Sequence, residues 1–185
     1  MWLAGVRFSQ HIAQGGSLIS ALSGRRVLAP SLRALHRDLV LKSLDAATRK
    51  RIDTVLRAMP ETGFDWSAAM KREEGSLAVL VGRLQSAPDP RAYYAKSTGV
   101  AAPADFTVPA PAEVAAFHAF MGRIESALTL PPGQWHDKLT EIEKSRAALH
   151  PFFQGFVVLT PAVERGSGWV ELAGRRQSLL DAVTK

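Results

Sequence analysis

Residues 45–60 read DAATRKRIDTVLRAMP, and within them Ile52, Val55, Leu56 and Met59 fall at i, i+3, i+4 and i+7. That spacing puts four apolar side chains on one face of a helix with 3.6 residues per turn. Asp45 stands where an N-cap is wanted, and Pro60 prevents the helix from continuing. The stretch therefore predicts an amphipathic helix with one buried face, and the same period recurs through most of the chain.

A second helix is predicted from Asp65 or Ser67 to about Gln85, with Trp66, Met70, Leu77, Leu80, Val81 and Leu84 as its core stripe. Gly75 and Gly82 weaken it, each by up to about 1 kcal/mol relative to Ala, and their spacing would allow a close helix approach. Upstream, Gln14-Gly15-Gly16-Ser17 reads as a tight connection, with Ser17 capping a helix that carries Leu18, Ile19, Leu22, Val27, Leu28, Leu32, Leu35 and Leu39. Pro30 inside that pattern predicts a kink or a break near Ala29. The helical pairs 2–40 and 45–85 are expected to stack as successive antiparallel hairpins, as in an irregular solenoid.

The character changes between Ser86 and Pro111, where prolines stand at 88, 90, 103, 109 and 111 and little periodicity remains. This stretch reads as a long surface connection, with Tyr93 and Tyr94 anchoring it to the core. Helical pattern then returns in Val114, Phe117, Met121, Ile124 and Leu128, and Pro131-Pro132-Gly133 ends it. A further helix is expected to carry Trp135, Leu139, Ile142 and Leu149. Pro151 opens another apolar segment, and Gly166-Ser167-Gly168 precedes a last amphipathic stretch with Val170, Leu172, Leu179 and Leu180. The run 152–159 fits a strand or a buried helix alike, and its helical neighbours favour helix. The expectation is an all-α domain of seven or eight helices in an irregular stack or bundle. It comprises N-terminal hairpins at 1–85, a Pro-rich connection at 86–111, and C-terminal helices at 112–185 packed on the same core.

With 185 residues, 46% hydrophobic and 22% charged, the chain can bury an ordinary core without staples. It has no cysteine, which excludes disulfides, thiol catalysis and iron–sulfur clusters. No segment reaches the roughly 20 apolar residues of a membrane-spanning helix, and the N-terminus lacks the uninterrupted core of a signal peptide. The net charge of +6 favours anionic partners. The basic residues nevertheless come in short groups, Arg25-Arg26, Arg49-Lys50-Arg51, Lys71-Arg72 and Arg175-Arg176, which read as solvated helix faces before they read as a nucleic-acid patch.

Signatures of catalysis are missing. There is no nucleophile elbow, zincin motif, P-loop or dinucleotide fingerprint. The start at Gly15-Gly16-Ser17 could receive a phosphate group, although the same residues suffice to end one helix and begin another. His11, His36, His118, His136 and His150 include no pair at the i, i+3 or i+4 spacing that sets two ligands on one helix face. A metal site would have to be assembled from afar, as by His118 with Glu141 or Glu143. Glu73 falls between Met70 and Leu77 on the inner side of its helix. It is the one carboxylate placed for acid or base work, and a pairing with Arg49 or Arg51 is the simpler role. Trp66, Trp135 and Trp169 stand at helix starts, where a core anchor is the plainer reading than a peptide- or sugar-binding stripe. The sequence designates no catalytic, cofactor-binding or metal-binding residue.

Three segments carry a resemblance: LAGVRFSQHIAQGGSLISALSGRRVLAPSLRAL at 3–35, LDAATRKRIDTVLRAMP at 44–60, and DWSAAMKREEG at 65–75. They resemble a group of uncharacterised bacterial helical proteins that have an N-terminal membrane anchor and lie outside the cytoplasm. His11, Gln14, Leu18, Ile19, Gly24, Leu44, Asp45, Leu56 and Pro60 match its pattern, as does Glu73 or Glu74. WVELAGRRQSLLDAV at 169–183 is similar to its C-terminal arginine-bearing helix. The resemblance covers 1–85 and, more loosely, 150–183. It implies a helical fold in the cell envelope and brings no activity, cofactor or site residue. Against that family the anchor is missing and the chain stops inside its last helix, so it reads as a fragment of a longer protein.

The leading functional expectation is a module that offers a groove or face to a protein or peptide partner. A nucleic-acid-associated basic protein is the alternative, and an enzyme with a site assembled from distant residues, Glu73 among them, the second.

Overall fold

The computed structural model describes residues 2–14, 18–41, 44–156 and 167–184, and every regular element among them is helical. There are nine α-helices in this set: α1 (Trp2–Gln14), α2 (Leu18–Leu41), α3 (Ala46–Ala58), α4 (Trp66–Ser86), α5 (Pro90–Thr98), α6 (Pro111–Leu128), α7 (Trp135–Glu143), α8 (Pro151–Phe156) and α9 (Ser167–Thr184). Short 3-10 turns at Pro132–Gln134 and Arg146–Ala148 flank α7. No described helix is long and apolar enough to cross a membrane.

Local signals set the starts of three helices. Asp45, Asp65 and Asp89 each accept the backbone N–H three residues on, from Thr48, Ala68 and Ala92, satisfying a donor the helix cannot use. Asp45 also accepts from the Thr48 hydroxyl, and these two hydrogen bonds hold its carboxyl below the ordinary carboxylate value of 3.8. A folded-state value depressed in this way contributes stability that is complete above 3.8 and is lost as the pH falls through the folded value. The thermal-midpoint gap between the wild type and Asp45→Ala is thus expected to be full at neutral pH and to close in acid below 3.8. A gap unchanged down to the acid limit would refute the cap's charge.

The core is one connected cluster running from Val6 through Leu28, Leu32, Leu35, Ile52, Leu56, Met70, Phe117 and Ile124 to Leu179 and Val183. Helix α2 lies centrally, packed by α1, α4 and α9. Its Pro30 neither breaks nor ends it: the ring is exposed, so the carbonyl it frees is on the solvent side, while Leu28, Leu32, Leu35 and Leu39 clamp the helix on both sides of it. Ile19, assigned to the same helix's apolar set from sequence, is 72% exposed.

The expected hairpin stack holds for α1 against α2 but not for 45–85. Helix α3 packs on α9, whereas α4 packs on α2, α5 and α6. Arginines lock the α3–α9 pair. Arg176 Nε donates to the Leu56 carbonyl at 2.9 Å, and Arg49 Nη1 donates to the Ala182 carbonyl at 3.3 Å. Each arginine thus caps the C-terminal turn of the other helix, where carbonyls lack partners and the helix dipole favours a cation. The two contacts also set α3 and α9 antiparallel. Between α4 and α6, the pairs Glu74–His118 and Lys71–Glu125 do the same across a second antiparallel contact.

Candidate functional site

The 86–111 connection, expected to be irregular, holds helix α5. Asp89 caps it, Pro90 occupies its first turn, and Gly99 closes it at φ 73°, the left-handed conformation that only glycine adopts without strain. Beyond Gly99 the chain is strapped. The Arg91 guanidinium donates to the carbonyls of Ala102, Pro103 and Ala104, the shortest bond 2.6 Å to Pro103, and Gln85 holds the Pro109 carbonyl at 2.8 Å. A loop whose three successive carbonyls are tied by one planar cation becomes a wall.

That wall faces α8 across a cleft of about 260 Å³. Tyr94 from α5, Phe106 and Thr107 from the loop, and His150, Phe152 and Gly155 from the α8 side line it, with Pro103, Pro151 and Asp105 completing the rim. Three rings supply its apolar faces. Tyr94 and Phe106 lie 4.9 Å apart, and Phe152 sits 6.2 Å from Tyr94 and 6.5 Å from Phe106, edge to face. Beneath them Phe152 meets Phe153 at 5.3 Å, and Phe153 stacks on Phe117 at 4.2 Å.

Thr107, His150 and Glu113 resemble a nucleophile, base and carboxylate, yet their connectivity is wrong for that chemistry. The Phe152 N–H donates to His150 Nδ1 at 3.2 Å. Nδ1 is therefore an acceptor, and Nε2 carries the ring proton and donates to Thr107 Oγ1 at 2.9 Å. A histidine that donates to a hydroxyl cannot take its proton. The Glu113 carboxylate stands 4.0 Å from the same Nε2 instead of on the opposite nitrogen, and it is committed to the Ala110 N–H at 2.7 Å. His150 is instead the N-cap of α8, with Pro151 behind it in the first helical position. His150→Ala should cost about 1 kcal/mol through the lost cap, and His150→Asn should recover most of it. Equal losses for the two variants in chemical denaturation would contradict the capping role.

The other residues singled out from sequence do not gather here. Glu73 is half-exposed, lines none of the three cavities described, and has no ion pair among the described residues. Its expected partner Arg49 is held by Leu44 and Ala182 carbonyls, because α3 turned to α9 and away from α4. His118 pairs with Glu74 and is remote in contact from Glu141 and Glu143; the latter pairs with Arg146. His11, His36 and His136 are exposed. Among the described residues no three His, Asp or Glu side chains come together as metal ligands. Trp66 and Trp135 are buried, their indole N–H groups donating to the carbonyls of Thr62 and Leu130. Gly15-Gly16-Ser17 and the side chain of Trp169 lie outside the described residues.

Two further hollows exist. One of about 220 Å³ lies between α1, α2 and the start of α4, where Gln10 donates to the Gly63 carbonyl and Arg72 to that of Gln14. A wider groove of about 490 Å³ runs between α6 and α7 over Ala119, Gly122, Ser126 and Ala127.

Set against known proteins, the chain matches no family model, no curated protein and no solved structure.

Proposed function

We propose that this chain is a helical binding module that takes one side chain of a protein or peptide partner into the Tyr94–Phe106–Phe152 cleft. The observation that carries the reading is a solvent-open, three-ring cleft whose wall is already ordered by Arg91, so little conformational entropy is lost on binding. Its volume falls below the roughly 300–1,000 Å³ that holds drug-sized ligands, which suits a single anchoring side chain. Its histidine and threonine are engaged with each other, and His150 also caps α8, so recognition fits the cleft better than proton transfer.

The nucleic-acid alternative draws less support. Of the five cations it would need on one face, Arg49 and Arg72 spend donors on main-chain carbonyls and Lys71 pairs with Glu125 at 3.6 Å. Selection of peptides from a random displayed library tests the binding reading. Gly155 is the position to block, since a side chain built there meets nothing within 4 Å and Gly155→Gln fills the mouth of the cleft without disturbing the core. Selected peptides should lose binding to Gly155→Gln and to Phe106→Ala. Peptides that bind both variants as they bind the wild type would overturn the assignment of the site.

A further inference from the structure

The protein carries a net charge of +6, but no lysine or arginine lines the aromatic cleft, and its one formal charge is Asp105. The Asp105 carboxylate is exposed and makes no hydrogen bond or ion pair among the described residues. The single arginine that organises this wall, Arg91, spends its guanidinium on three carbonyls of the loop. A ring-lined hollow whose one formal charge is negative is complementary to a cation carried on an apolar stem.

Resting on the binding reading above, we infer that the side chain received by the cleft is an arginine of the partner. A guanidinium is planar and weakly hydrated, so it stacks on aromatic faces such as those of Tyr94 and Phe106, and it pairs with a carboxylate through two parallel N–H groups. Its methylene stem covers apolar surface, here the edge of Phe152, while the head stays at the rim beside Asp105. A neutral side chain of the same length would bury the same stem and leave Asp105 without a partner.

The test uses the full chain and two defined probes, Nα-acetylarginine methylamide and Nα-acetylnorleucine methylamide, titrated while the amide resonances of Phe106, Thr107 and Gly155 are followed by NMR. The arginine probe is expected to shift these resonances saturably and to bind roughly five- to tenfold more tightly than the norleucine probe, the range of an exposed to partly desolvated cation–π contact. Asp105→Asn, at an exposed position whose loss leaves the fold intact, should erase most of that difference. Equal binding of the two probes, or a preference unaffected by Asp105→Asn, overturns the arginine inference and leaves the apolar anchor standing. No shift at these amides with either probe overturns both.

Discussion

Phe153→Ala is expected to destabilise the protein by about 3–5 kcal/mol, the range for truncating a fully buried phenylalanine, and to lower the melting temperature by on the order of 10 °C in a domain of this size. Phe153 is fully buried, stacked on Phe117 with the ring planes 5° apart and set edge-on to Phe152. Stacked and edge-to-face contacts add to area burial, so the loss is more than that of an isolated ring. The effect should also reach the cleft. Helix α8 spans six described residues, too few to persist without tertiary support, and Phe153 ties it to α6 through Phe117. Truncation is therefore expected to abolish probe binding at the cleft under conditions where far-UV circular dichroism still reports a folded protein. A cost below about 1 kcal/mol, against the handful expected, would mean that α8 is held by something else.

The second large effect is expected at Gly24→Ala. In a helix interior alanine is ordinarily the better residue by about 1 kcal/mol. At position 24, however, a Cβ would stand 2.7 Å from the Ser9 carbonyl oxygen and 3.1 Å from the Phe64 ring. The carbonyl is backbone of α1, which cannot yield without moving that helix, so overpacking should outweigh propensity and leave a net loss of roughly 2–3 kcal/mol. Gly75→Ala supplies the control: nothing lies within 4 Å of a Cβ there, so the substitution should stabilise by up to about 1 kcal/mol. Paired denaturant melts measure both. If the two substitutions changed stability in the same direction, close α1–α2 packing at Gly24 would be disproved.

That contrast marks a limit of one-dimensional reading. By spacing, Gly75 and Gly82 suit a close helix approach, and Gly24 stands out only within a family-like pattern. The roles are the reverse, because a glycine's spacing is visible in the sequence while the surface that meets it is not. The candidate site divides similarly. Tyr94 and Tyr93 were expected to anchor the 86–111 stretch, and Tyr94 does pack on Phe106 and Phe152. Yet Asp89, Pro90 and Gly99 start and stop α5 inside a stretch whose five prolines point to an irregular loop. Phe106 and Thr107 meet His150 and Phe152 from more than forty positions away, through the Thr107–His150 hydrogen bond and the Phe106–Phe152 ring contact. No periodicity within one helix could have joined them.

The sequence by itself determined the helical class, the start of α3 at Asp45 and that of α4 to within Asp65 or Ser67, the stop at Pro60, and the buried stripes Ile52–Leu56 and Phe117–Met121–Ile124. Each of these follows from forces acting within about one turn of helix: an unpaired N–H, a missing donor, an apolar face in water. Only the tertiary structure decided that α3 turns to α9 through Arg49 and Arg176, that α2 runs unbroken through Pro30, and that His150 serves a helix instead of a reaction. Those outcomes depend on which apolar face meets which and on which side chains reach the carbonyls of distant helix ends, quantities defined only once the chain has closed on itself.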